Sequence, residues 1–112
     1  MSTSRFAQLP PPPYYAVIFS SQRTPGERGY NEMAERMATL AAQQPGFLGI
    51  ESTRDDEGFG ITVAYFDSEE NIARWKANAE HRTAQALGRS TWYEHFELRV
   101  AKVERAHAMT PR

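Results

Sequence analysis

The sequence predicts an α+β fold whose elements run β-α-β-β-α-β. Three observations carry that prediction. Two stretches repeat apolar residues three and four apart, the pattern of a helix with one buried face. Four others are rich in β-branched and aromatic residues and either alternate or run apolar over a strand's length. Between them stand Pro-Gly and acidic-Gly breaks, which turn or stop a chain.

The elements follow in order. Residues 1–13 end in four prolines, Pro10 to Pro13, which fix φ and lack an N–H, so this is a flexible or surface-laid leader. Tyr14 to Ser21 is a first strand with Tyr15, Val17 and Phe19 alternating with Ala16 and Ile18, so it needs cover on both faces. Thr24-Pro25-Gly26-Glu27 carries a capping box, with Thr24 as cap and Glu27 as its partner, and predicts a helix from there to about Gln43. Pro45-Gly46 stops it. Phe47–Arg54 and Gly60–Phe66 are strands joined by the polar turn Asp55–Gly58, a hairpin. Asp67 or Ser68 caps a second helix, favoured by Glu69 and Glu70 in its first turn. It runs, whole or broken, to Leu87, with Gly88 as the left-handed residue after it. Trp92 to Glu104 is the last strand, and residues 106–112 are a polar tail.

That order is the ferredoxin-like split βαβ pattern, a four-stranded antiparallel sheet with helices on one face. The domain spans residues 14–105. A chain of 112 residues is one domain at the small end of the usual range. It has no third layer for the other face of the sheet, which predicts a homodimer closing two sheets into an α/β barrel.

Composition excludes several functions. The formal charge of −1 gives no basic surface for nucleic acid or anionic membrane. No apolar run reaches the ~20 residues of a membrane helix, and the N-terminus lacks a signal-peptide core, so a cytoplasmic protein is expected. Without cysteine there is no disulfide, thiolate nucleophile, zinc–sulfur site or iron–sulfur cluster.

Candidate chemistry concentrates in residues 72–96, which hold both tryptophans, Trp75 and Trp92, and two of the three histidines, His81 and His95. Trp75 lies on the apolar face of its helix, where it serves either as core or as a cavity wall. His81 comes six residues later, about 240° around a continuous helix. Both face one cavity only if the helix breaks near Asn78. A histidine there is either a base near neutral pH or a structural residue. His95 lies between Glu94 and Glu97 on a strand, facing outward. His81 and His95 with Glu80, Glu94 or Glu97 lack any metal-ligand spacing, so no metal is expected. Arg82 and Arg89 suggest ion pairs with Glu80 and Glu94 or an anion-binding rim.

Gln44-Pro45-Gly46-Phe47-Leu48-Gly49-Ile50, Ile61 to Ser68, Ile72-Ala73-Arg74-Trp75-Lys76, His81, Gly88-Arg89 and Trp92-Tyr93 together resemble the antibiotic biosynthesis monooxygenase domain family. The resemblance covers about residues 14 to 105 and implies a dimeric α/β barrel. Members include cofactor-independent oxygenases of polycyclic aromatics, quinol oxygenases and heme-degrading enzymes. The heme-degrading branch has an Asn on the first strand, a Trp on the second helix and a His about ten residues on. Here Trp75 matches, Gln85 stands at the histidine's place, and the first strand has no Asn, so two of three positions depart. The expectation is a cofactor-independent monooxygenase of a small aromatic or quinol-like substrate. His81 is its base, and Trp75, Trp92, Tyr93 and Gln85 bind the substrate. The alternative is a non-catalytic, ligand-binding or stress-related dimer of the same fold.

Overall fold

The computed structural model describes residues 5–109, with the backbone alone for Ala79. Residues 1–4 of the leader and 110–112 of the tail lie outside the described residues. The elements are β1 (Tyr14–Arg23), α1 (Tyr30–Ala42), β2 (Phe47–Arg54), β3 (Phe59–Phe66), α2 (Glu69–Ala77), α3 (Ala79–Leu87) and β4 (Tyr93–Val103), with a π-helical turn at Gly88–Trp92. The four strands form one antiparallel sheet in the order β2-β3-β1-β4. This is the predicted ferredoxin-like α+β architecture, with the second helix broken in two.

Residues opposite one another in an antiparallel ladder share a face. Tyr15 pairs with Phe66, Val17 with Ala64 and Val100, and Phe19 with Thr62 and Leu98. That face meets the helices. Phe66 is fully buried among Ala41 of α1 and Ile72 and Trp75 of α2, with Tyr15, Val17 and Met37 packed around them. Phe47 meets the Phe66 ring edge-on at 5.7 Å, a favoured aromatic geometry.

The opposite face carries Tyr14, Ala16 and Ile18, and it is partly covered from within the chain. The leader lies against it. Ala7 N–H donates to the Glu51 carboxylate (3.1 Å), which also accepts from the Tyr65 hydroxyl (2.9 Å). Gly49 makes the approach possible: a Cβ there would stand 2.8 Å from the Ala7 Cβ. Burial and the Glu51 charge push the Tyr65 phenol up to about 12, so it stays a donor. The expectation that one chain supplies no cover for this face is therefore corrected: Tyr14 and Ala16 are already buried, while Ile61 remains 39% exposed.

Two local readings are corrected. Thr24 does not cap α1. Gly26, Arg28 and Gly29 all have positive φ, so 24–29 is a loop and the helix begins at Tyr30. Thr24 Oγ1 instead donates to the Thr91 carbonyl (2.8 Å). Glu27 does serve the helix start, accepting from Gly29 N–H (2.8 Å) and Asn31 N–H (2.6 Å). Gly88 is not a left-handed terminator either. Its φ of −58° is right-handed and the chain coils on through Trp92. Packing is tight at this glycine: a Cβ would stand 3.1 Å from the Tyr93 ring, which would have to give by a few tenths of an ångström. Ser68 caps α2 as expected, its Oγ accepting from Asn71 N–H (3.1 Å). Residues 104–109 form no strand or helix and are exposed.

Candidate functional site

A cavity of about 400 Å³ lies between the helices and the sheet. Its walls are mostly apolar: Val17, Phe19, Met33, Met37, Ile72 and Leu98 are among them. All five sequence-predicted residues, Trp75, His81, Gln85, Trp92 and Tyr93, line it.

Asn78 brings Trp75 and His81 together. Its backbone is extended (ψ 129°), which ends α2, and its side-chain oxygen accepts from Glu80 N–H (3.0 Å) and His81 N–H (3.2 Å), which starts α3 in a new direction. Across that break the rings of Trp75 and His81 stack, 4.2 Å between centroids and 12° from parallel. The His81 Nδ1 lies 3.0 Å from the Trp75 carbonyl oxygen. A carbonyl only accepts, so Nδ1 carries the hydrogen and Nε2 keeps the lone pair. Burial lowers the His81 pKa below its ordinary value; the Trp75 carbonyl opposes this and the Lys76 charge adds to it. The ring is therefore neutral at pH 7, in the form a base requires.

The π-helical turn sets the other aromatic wall. Trp92 is buried and its Nε1–H donates to the Arg28 carbonyl (3.1 Å). Tyr93 starts β4 with its ring edge-on to Phe19 (5.3 Å) and to Tyr30 (5.9 Å). Its hydroxyl donates to the Tyr30 hydroxyl (3.4 Å). Burial pushes the Tyr93 phenol well above the usual tyrosine range, so it remains protonated.

Among the cavity residues that escaped sequence reasoning are Tyr30 and Arg54. Tyr30 reads as one more position in the apolar period of α1, and Arg54 as the polar end of a strand. The available signal was parity, since Ile50, Ser52 and Arg54 alternate onto one face and all line the cavity.

The ion-pair expectation is corrected, while His95 faces outward as expected. Glu80 pairs with Arg36 of α1 (2.6 Å), not with Arg82 or Arg89, and those two arginines make no ion pair among the described residues. The α1–α3 contact puts Arg36 within reach, which the local sequence does not show. His95 faces outward, exposed, and pairs with Glu97, which also holds Arg99. Among the described residues no three His, Asp or Glu side chains gather as metal ligands, and no helix is long and apolar enough to cross a membrane.

Comparison with known proteins agrees with this architecture. The family model for antibiotic biosynthesis monooxygenase matches residues 14–87. An uncharacterized Bacillus subtilis protein, YqjZ, is 56% identical over 99 residues, 88% of this chain and 87% of that one. A jasmonate monooxygenase of Pyricularia oryzae is 30% identical over 94 residues, covering 80% of this chain and 43% of that longer protein. Among solved structures, SnoaB of Streptomyces nogalater, a cofactor-independent oxygenase, superposes with a TM-score of 0.71 at 14% identity, over 90% of this chain and all of that one. At that identity the likeness shows the fold alone. The match to the family model over most of the chain, on the fold those relatives share, shows that this chain belongs to the antibiotic biosynthesis monooxygenase family.

Proposed function

We propose that the protein is a cofactor-independent monooxygenase acting on a flat aromatic or quinol-like molecule bound in the cavity. The observation that carries this is the stacked Trp75–His81 pair: a neutral histidine, its Nε2 without a partner among the described residues, stands on the wall of an apolar cavity walled by aromatic rings. An apolar pocket with a few placed polar groups is what a small-molecule site needs. A filled interior would have favoured the non-catalytic dimer; a cavity of about 400 Å³ favours a binding site. The family, with an oxygenase among the curated relatives, supports the reaction class.

In this reading Trp75, Trp92 and Tyr93 hold the substrate ring, Gln85 supplies an amide contact, and His81 removes a proton. The resulting carbanion or phenolate is rich enough in electrons to reduce O₂ directly. For an activated CH₂ the balance closes without a further reductant: the carbanion adds to O₂, the O–O bond of the peroxide breaks, a carbonyl forms and water leaves. The protein contributes deprotonation, orientation and a dry pocket. A second copy on the exposed part of the outer sheet face, around Ile61, completes the proposed homodimer. The test is oxygen uptake by metal-free protein across a panel of anthrones and quinols. Uptake with at least one of them is expected. None across the panel would contradict the proposal and favour the ligand-binding alternative.

A further inference from the structure

At the end of the cavity away from Trp75, a half-buried charge stands without a counter-ion among the described residues. Arg54 is half-buried on β2 and lines the cavity. Its Nη1 donates to the carbonyls of Gly58 (2.6 Å) and Ser21 (3.3 Å). Its Nη2 donates to the Ser21 hydroxyl (2.9 Å) and the Tyr30 hydroxyl (3.3 Å). Every one of these acceptors is neutral, and Arg54 makes no ion pair among the described residues. Desolvating a guanidinium without an anion is costly, and proteins rarely leave such a charge uncompensated.

The Tyr30 hydroxyl is where that charge meets the cavity. It accepts from Arg54 and from the Tyr93 hydroxyl (3.4 Å), which fills its lone pairs. Its own hydrogen finds no acceptor among the described residues, so it is left for a group in the cavity. A second guanidinium, Arg23, lies 3.6 Å above the Tyr30 ring. Arg23 acts on the Glu27 carboxylate, whereas Arg54 has no such partner. The four terminal N–H groups of Arg54 are all engaged, so it is fixed in place and works through Tyr30.

We infer that the Tyr30 hydroxyl, backed by Arg54 and Tyr93, receives an anionic oxygen of the ligand, and that the cavity selects flat apolar molecules bearing a ring-borne carboxylate or phenolate. This rests on the cavity being a binding site for aromatic molecules, as proposed above, and adds the charge of what it takes. Tyr30 makes the contact; Arg54 is a positioning residue that supplies the field. Trp75 stacks near the amino end of β1, beside Tyr15 and Val17, while Arg54 anchors at Ser21. Four to six residues of strand, about 13–20 Å, separate them. A ligand filling that length presents its apolar body to the aromatic walls and its anionic oxygen to Tyr30.

The test is calorimetric titration of the full-length protein with three probes at pH 7: naphthalene-2-carboxylate, its neutral isostere naphthalene-2-carboxamide, and 2,4-dinitro-1-naphthol, which is a phenolate at that pH. At least one anion is expected to bind at least about tenfold tighter than the amide, the scale of a charge-assisted hydrogen bond. Whichever anion shows the preference names the source of the oxygen. Tyr30→Phe keeps the ring and is expected to cut that preference to about threefold or less, weakening the anions more than the amide, whose carbonyl is a neutral acceptor. Arg54→Gln is expected to do the same. Should it fail to fold, Tyr30→Phe decides alone. Amide binding as tight as either anion, or a preference that survives Tyr30→Phe, overturns the inference while leaving the cavity reading standing. No binding of any probe overturns both.

Discussion

His81 owes its chemistry to two neighbours. The Trp75 carbonyl fixes the tautomer and the Trp75 ring buries the imidazole. His81→Ala is expected to lower turnover on an accepted substrate by at least about tenfold, given the ~10²–10⁴-fold a positioned base contributes. Trp75→Phe keeps an apolar wall of different shape and is expected to raise KM more than it lowers kcat. Steady-state kinetics of the two variants separates the roles, and an unchanged kcat in His81→Ala would remove it as the base. The same burial makes a pH prediction. The folded pKa of His81 lies below its ordinary value near 6.5. As pH falls below about 6.5 the unfolded chain takes up a proton that the folded chain refuses, so stability is full above that value and declines below it. His81→Gln should flatten that part of a curve of melting temperature against pH. An unaltered acid slope would contradict the assigned burial. Arg54 shows what single-residue reading misses. Its partners Ser21 and Tyr30 come from 33 and 24 positions away, and only the folded chain brings them together.

The break at Asn78 places the site. Asn78→Ala removes an acceptor that satisfies two N–H groups at the start of α3, and a cap of this kind is worth ~0.5–2 kcal/mol. The denaturant midpoint should fall accordingly, and Trp75 fluorescence should change as the His81 stack loosens. A midpoint and emission matching the unaltered protein would mean that α2 and α3 are set by packing alone. The leader makes a second case. Gly49→Ala puts a Cβ where Ala7 now lies, so residues 5–9 are expected to lift from the sheet and be cut faster by protease. Equal cutting rates would show that the leader does not depend on this contact. Most elements were legible because their signals are local: the limits of β2, the Asp55–Gly58 turn and the Ser68 cap follow from short stretches of sequence. Thr24 was misread for the same reason. A four-residue capping pattern carries no information about Arg28 taking a positive φ two residues before the helix. Gly88 was misread because its neighbour, the Tyr93 ring, folds back onto it after the turn.

At the scale of the whole molecule, the order of strands and helices was readable from periodicity, and the gathering of residues 75–93 around one space only on condition that the helix breaks near Asn78, since a continuous period sets His81 about 240° from Trp75. The leader's place on the outer face was not, since it hangs on Gly49 and Glu51 meeting Ala7 across more than forty positions. With the leader in place, Phe59 and Ile61 remain exposed apolar side chains on that face. A second chain is still the economical cover, because burying an Ile or Val side chain is worth roughly 1.5–3 kcal/mol. Sedimentation at micromolar concentration is expected to give about twice the chain mass, and a clean monomer would contradict the dimer. The oxygenase reading meets its most direct test in labelled oxygen. Metal-chelated protein, given a substrate it turns over under ¹⁸O₂, is expected to place one labelled atom in the product and the other in water. Unlabelled product, or turnover that disappears on chelation, would contradict it.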